Sequence, residues 1–191
     1  MAMPKQALHC SSDLHLNSHL PDKQIDNGKH SRVRTQPLAG VIYFFGSKME
    51  IIRATKTAEQ AGAYYVRIQA MARKHQIPLS VEFDEHDTHD TKYIVIVDDY
   101  LPIATCRLYA IDNATVMLGR IVVLPENRGR GIGTLVVREA ERWAKELGFS
   151  VSVVESRENK IHFYETMGYV ADYSKKIVGD TFTCFRMEKK L

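Results

Sequence analysis

The sequence predicts an α/β chain: a mixed sheet, mostly antiparallel with one parallel strand pair, flanked by helices. Three observations predict it. The β-rich run Arg120-Ile121-Val122-Val123-Leu124-Pro125 leads through a glycine-rich turn into an amphipathic helix, and a second β-rich run starts at Val151. A strand–helix–strand crossover of this kind makes its two strands parallel. The runs Lys92–Asp98, Ile103–Ile111 and Thr115–Leu124 are rich in Ile, Val, Thr and Tyr and are joined only by short stretches at 98–102 and 112–114. Such connections suit hairpins, so these strands run antiparallel. Finally, Thr57 to about His75 carries Ala61, Tyr64, Ile68 and Met71 at helical spacing.

The elements follow in order. Ile51–Arg53 is the first short strand, and the Thr57–His75 helix comes next. Three antiparallel strands then lead to the glycine turn. Its helix, Ile132 to about Leu147, places Ile132, Leu135, Val136, Trp143 and Leu147 toward the sheet. Gly148 supplies a C-terminal cap. After the Val151–Glu155 strand, Asn159 is a good N-cap for a short helix and Gly168 a good residue for its end. A hairpin near Gly179-Asp180 and a strand from Thr181 to Glu188 close the chain.

Arg128-Gly129-Arg130-Gly131-Ile132-Gly133 carries the chemistry. Backbone N–H groups of the turn and first helical turn lack intrahelical partners, and the helix dipole adds positive charge there. The natural ligand is a phosphate or pyrophosphate. A P-loop needs Gly-Lys-Ser/Thr, which the chain lacks. A dinucleotide fingerprint needs a third glycine, but Thr134 or Val136 stands there. What remains is Arg-x-x-Gly-x-Gly, formed by Arg128, Gly131 and Gly133.

That pattern resembles the acetyl-CoA loop of the GCN5-related N-acetyltransferase (GNAT) family, as does the strand end Val122-Val123-Leu124-Pro125. The segment from Asn159 to Tyr169 resembles the family's Asn-x-x-Ala-x-x-Phe-Tyr-x-x-x-Gly-Phe run, somewhat compressed. Upstream, Tyr65-Val66-Arg67, His75-Gln76-Ile77-Pro78 and Glu82-Phe83-Asp84-Glu85-His86-Asp87 resemble one branch of the family, as do Asp98–Pro102 and Thr105-Cys106-Arg107-Leu108. The resemblance covers residues 49–191 and implies the acyl-CoA N-acyltransferase fold, with its parallel strand pair splayed apart.

The resemblance also implies roles. Ile121, Val122 and Val123 would pair with the pantetheine arm of acetyl-CoA, with the Val123 N–H as oxyanion donor. Arg128, Gly129, Arg130, Gly131, Ile132, Gly133 and Thr134 would hold the pyrophosphate. Asn159 and Phe163 would line the coenzyme side, and Tyr164 would be the general acid for the leaving thiolate. A phenol with its ordinary pKa near ~10 is protonated at neutral pH and can donate. The general base is less determined. Some relatives carry an acid where this chain has Gly119, just before Arg120. Glu155 is the first candidate, with Glu82, Asp84 and His162 behind it. The acidic run Glu82–Asp90 reads as a solvated loop or as an attractor for a cationic amine. Cys184-Phe185 stands where that branch often has Pro-His, in the acceptor region.

Composition bounds the remaining readings. Residues 1–48 hold six Lys/Arg and three Asp/Glu, a net of +3, and residues 49–191 hold twenty of each. The domain read over residues 49–191 therefore has no basic balance, which argues against a nucleic-acid partner. No apolar run approaches the ~20 residues of a membrane span. Cys10, Cys106 and Cys184 lack paired or metal spacing and read as reduced thiols in a cytoplasmic protein. Residues 1–48 read as an N-terminal extension, disordered over 1–37, and vector-derived or mis-started. Its apolar Val41–Phe45 segment can add an edge strand or dock on a neighbouring subunit, which allows a homodimer. Asp13-Leu14-His15 resembles a metallophosphatase motif, but the further ligands are missing, so no metal is expected. The expected activity is transfer of an acetyl group from acetyl-CoA to the primary amine of a small molecule or peptide. The alternative is an acyl-CoA-binding regulatory protein without turnover.

Overall fold

The computed structural model describes residues 41–44, 47–179 and 182–191. The disorder expected over residues 1–37, the Asp13-His15 motif and the tip of the last hairpin lie outside them. Among the described residues eight strands form one sheet: β1 (Val41–Phe44), β2 (Ser47–Ala54), β3 (Lys92–Asp98), β4 (Leu101–Ala110), β5 (Thr115–Val123), β6 (Val151–Arg157), β7 (Val170–Val178) and β8 (Thr183–Lys190). Their order is β1-β2-β3-β4-β5-β6-β8-β7, and only β5 and β6 pair in parallel. Val41–Phe44 thus adds an edge strand, pairing Val41 with Glu50 and Phe44 with Ser47.

The parallel pair is short. Thr115–Met117 pairs with Val151–Val153, and no further pairing of the two strands follows. Beyond that point β5 stays with β4 as far as Val123, and β6 stays with β8 as far as Arg157. The sheet therefore opens into a V between β5 and β6. A β-bulge accompanies the opening. Thr105 pairs with Val122 but Arg107 with Gly119, so β5 carries one extra residue, and Arg120 takes a left-handed φ of 50°. A bulge bends its strand and increases the local twist, which turns β5 away from β6. It also reverses which residues face each side, since side chains alternate with period two. Val116 and Leu118 are buried in the large core cluster; past the bulge, Ile121 and Val123 pack there instead.

Helices cover both faces. α1 (Thr57–Arg67) runs on into a π-helical turn (Ile68–Arg73), followed by α2 (Leu79–Glu82). α1 does not use the expected face. Gln60, Ala63, Val66 and Arg67 are buried while Ala61 is exposed. The stripe is displaced because it carries a polar pair the hydrophobic pattern ignores: Gln60 donates to the carbonyls of His89 and Thr91, and Arg67 enters a buried ion network. Ala63 packs with Ala54, Tyr93 and Val95, whereas Ile94 and Ile96 join the cluster on the other face.

That second face holds α3 (Ile132–Glu146) and α4 (Ile161–Glu165). Ile132, Val136 and Trp143 point into the core as expected, joined by Val137, Ala140 and Ala144. Each fully buried Val contributes about 1.5–3 kcal/mol. Leu147 is 44% exposed instead, one residue beyond the helix. Gly148 (φ 95°) caps α3, with the Phe149 N–H reaching the Ala144 carbonyl at 3.1 Å. Gly168 (φ 91°) does the same for α4.

Candidate active site

The glycine turn sits at the N-terminus of α3, beside the open end of β5. Gly131 is the N-cap residue with φ 75°, and Gly129 has φ 78°. A Cβ at either would meet nothing within 4 Å. The backbone there is unshielded, and left-handed geometry favours glycine. The first intrahelical bond runs from the Leu135 N–H to the Gly131 carbonyl at 3.1 Å. The N–H groups of Ile132, Gly133 and Thr134 therefore have no helical acceptor. Gly133 serves a different purpose: its Cβ would lie 3.3 Å from Phe163 Cζ, so its absence lets α4 close on α3. Arg130 is ion-paired. Both its terminal nitrogens lie 3.1 Å from Asp98 Oδ2.

The edge of β5 facing the V is open. The Leu124 N–H donates to the Ile103 carbonyl across β4 at 2.9 Å. Backbone groups alternate direction along a strand, so the N–H and carbonyl of Val123 point the other way, into the opening. The Val123 carbonyl accepts a 3.0 Å bond from Arg128 Nε. Ile121 and Val123 turn their side chains to the α3 core, and Val122 packs against Val66, Ala70 and Leu124 across the sheet.

Tyr164 is 8% exposed, with its ring edge-on to Phe163 at 5.0 Å and to Tyr169 at 5.8 Å. Burial pushes its phenol well above the ordinary range; nearby Cys106 and Cys184 add to this and Arg157 opposes it. The hydroxyl is therefore a protonated group close to Arg157 and Cys184. Glu155 is exposed on β6, on the α1 face of the sheet and opposite Arg186 of β8. Asn159 is exposed within a 3-10 turn (Glu158–Lys160). It does not cap α4, whose N-cap residue is Lys160. His162 projects from α4 with its side chain 90% exposed, 3.6 Å from Glu165.

The stretch after α1 is not a solvated loop. Glu82 and Asp87 have side chains 1% and 4% exposed. Arg67 bonds Glu82 at 2.8 Å and Asp87 at 2.6 Å; Arg107 bonds Asp84 at 2.6 Å and Asp87 at 2.7 Å; Arg120, turned by the bulge, bonds Asp84 at 2.9 Å. The Tyr93 hydroxyl also donates to Asp87. Burial alone would raise Asp84 and Asp87, but hydrogen bonds and charge from Arg107 and Arg67 outweigh it, and both lie below the usual carboxylate range. Glu82 and Asp84 are thus committed to arginines, whereas among the described residues Glu155 is in no ion pair. Arg67, Arg107 and Arg120 were the signal: three arginines in apolar runs need buried acids.

A cavity of about 430 Å³ lies at the other end of β4 and β5, between His86, Tyr109, Val116, Leu147 and Phe149; the glycine turn does not line it. Among the described residues no group of His, Cys, Asp or Glu gathers to hold a metal ion, and no helix is long and apolar enough to cross a membrane.

The fold recurs in known proteins. A Bacillus subtilis (strain 168) protein named as an acetyltransferase is 30% identical over 123 residues, covering 63% of this chain and 83% of the relative. The crystal structure of an N-acetyltransferase from Lactobacillus plantarum superposes with a TM-score of 0.70 at 30% identity, covering 75% of this chain and 98% of the other. A GNAT acetyltransferase from Elizabethkingia anophelis, solved with acetyl-CoA bound, shares the fold at 16% identity and a TM-score of 0.56, with 75% and 98% covered. The model of the acetyltransferase (GNAT) family matches residues 55–169, more than half of the chain, and the chain belongs to that family.

Proposed function

We propose that the protein transfers an acetyl group from acetyl-CoA to the primary amine of a small molecule or peptide, in the cytoplasm. One observation carries this reading: the unshielded glycine turn at the N-terminus of α3 adjoins the open β5 edge, so one elongated ligand can use both. The residues fit acetyl-CoA. Gly129 and Gly131 leave the room a pyrophosphate needs, and the N–H groups from Gly129 to Thr134 supply the donors, with charge from Arg128 and from Arg130 once it exchanges Asp98 for the phosphate. Ile121 and Val123 offer the backbone edge to the pantetheine arm, with Val122 held to Thr105 of β4 between them and Asn159 and Phe163 on its far side. Bound acetyl-CoA supplies a thioester, an acyl group on a good leaving sulfur.

The chain's own groups then divide the work. The Val123 N–H, aimed into the V, stabilises negative charge developing on the thioester oxygen. Tyr164, kept protonated by burial, delivers a proton to the departing sulfur. Glu155 receives the proton of the incoming ammonium. The relatives carry acetyltransferase names, which favours turnover over the alternative of coenzyme binding alone.

The test is release of free CoA thiol from acetyl-CoA by the purified chain with a panel of amines, amino acids, polyamines and peptides. At least one acceptor should give turnover that Tyr164→Phe lowers. Silence across the panel, with acetyl-CoA bound by calorimetry, would establish the non-catalytic alternative.

A further inference from the structure

β6 carries two charged side chains that stand outside the ion pairs of the described residues. Glu155 and Arg157 are two residues apart, so both project from the α1 face, about 6–7 Å apart along the strand. Their cross-strand neighbours are Arg186 and Cys184. Arg186 is already paired, with Glu188 at 3.0 Å. Among the described residues neither Glu155 nor Arg157 is in an ion pair. The other arginines over this face, Arg67, Arg107 and Arg120, are all matched by Glu82, Asp84 and Asp87.

Arg157 is the more telling of the two. Its guanidinium is half-buried, 3.2 Å from the centroid of the Phe182 ring, and gives one long bond, 3.7 Å, to the Met71 sulfur. A guanidinium has five N–H donors in a fixed fork, and desolvating a charge without an anion is unfavourable. Phe182 and Met71 hold the fork in place and exclude water on one side, which strengthens its attraction for an anion. Glu155 lies nearer the apex of the V, where β5 and β6 part after Val153. Its charge acts on Cys184 and Tyr109.

We propose that Glu155 and Arg157 form a bipolar clamp for the acceptor, which is a free α-amino acid held by its carboxylate on Arg157 and by its amino group at Glu155. The clamp refines the transferase reading and rests on it for the fate of the amine. A carboxylate matches the arginine fork with two parallel bonds, and the order along β6 sets the amine toward the apex. The nitrogen loses two protons as the N–C bond forms and the C–S bond breaks. Glu155 takes the first and passes it to water; the second returns through water to the Tyr164 oxygen, replacing the proton that Tyr164 gives to the sulfur. A peptide N-terminus has no adjacent free carboxylate and leaves Arg157 unmatched.

Equilibrium binding to the full-length chain saturated with CoA reads the clamp without turnover. The probes are the twenty amino acids and their α-amides, followed by calorimetry. At least one amino acid binds tenfold or more tighter than its own amide. Arg157→Gln removes that preference, Arg157→Lys keeps a part of it, and Glu155→Gln weakens acid and amide alike; the affinity for CoA itself changes less than twofold in each. No preference for any acid over its amide overturns the clamp, as does full preference in either Arg157 variant; should Arg157→Gln not fold, Arg157→Lys decides. An Arg157→Gln chain that weakens CoA but not dephospho-CoA also overturns it, and assigns the guanidinium to the coenzyme phosphate. Thiol release with the same panel tests the transferase reading separately. Acid-selective binding without thiol release overturns turnover and upholds the clamp, whereas thiol release with no acid preference does the reverse.

Discussion

At the scale of single residues, the turn before α3 separates two uses of glycine that look alike in a string of letters. Gly131 is needed for its φ of 75° and for the space over it, because nothing stands within 4 Å. Gly133 is needed because Phe163 is 3.3 Å from where a Cβ would be. Gly131→Ala should therefore cost about 1–2 kcal/mol of stability through backbone strain alone and keep measurable coenzyme binding. Gly131→Asp should bear the same strain and also set a negative charge in the phosphate path. Its acetyl-CoA affinity by calorimetry should fall at least about tenfold, the equivalent of 1.4 kcal/mol; unchanged affinity would refute the assignment of the turn. Tyr164 makes a complementary case. Its ring packs edge-on to Phe163 and Tyr169, and burial raises the pKa of its phenol. Tyr164→Phe keeps the ring contacts, so the melting temperature should scarcely move, while kcat should drop by about 10²–10⁴-fold if the hydroxyl is the general acid. Unchanged kcat would instead leave Tyr164 as a packing residue.

At the scale of elements, the ion network ties α1, the stretch after α2, β4 and the β5 bulge together. Removing one partner from a buried pair leaves the other charge stranded and typically costs about 3–5 kcal/mol. Asp87→Ala should therefore lower the unfolding free energy by about that amount in a urea titration. Glu85→Ala, two residues away with its side chain 84% exposed, should stay within about 0.5 kcal/mol. Equal effects of the two would contradict the network. The sequence made the strands legible because half-buried β-rich runs and tight connections are local signals. Lys92–Asp98 is at its expected bounds, and β5 and β6 are displaced by only a residue or two at their ends. The glycine turn was legible for the same reason. The network was not, since Arg67 and Asp87 lie 20 residues apart and nothing local reveals that a dense acidic run folds inward. The α1 face was misread on the same account: a pattern of apolar residues gives no weight to Gln60 and Arg67, which are buried because their partners are. Asn159 failed as a cap because the chain makes a 3-10 turn before α4 and moves the helix start to Ile161. The bulge at Arg120 was equally hidden, and with it the reason β5 leaves β6.

At the scale of the whole molecule, these local arrangements fix how stability responds to pH. Asp84 and Asp87 have folded-state pKa values below those of the unfolded chain, where an aspartate titrates near ~3.9. A depressed carboxylate stabilises the fold above its unfolded pKa, and that stabilisation is lost as pH falls, because the unfolded state binds protons first. Tyr93, Tyr164 and Tyr169 have the opposite shift: burial raises each phenol. Their contribution is present below the unfolded value near ~10 and is lost as pH rises beyond it. The melting temperature should therefore be flat from about pH 5 to 9 and fall on both sides. The two limbs have separate origins and can be separated by mutation. An Asp84→Asn, Asp87→Asn double variant should melt lower at pH 7 and lose much of the acid limb, while its alkaline limb stays as in the parent. Tyr169→Phe should act in reverse, softening the alkaline limb only; it leaves Ser152 without the 2.7 Å bond to the Tyr169 hydroxyl. Melting curves at half-unit intervals from pH 3 to 11 decide the matter. An acid limb equally steep in the double variant would show that Arg67, Arg107 and Arg120 do not hold those carboxylates in solution, and that the anchoring of β5 beside the V lies elsewhere.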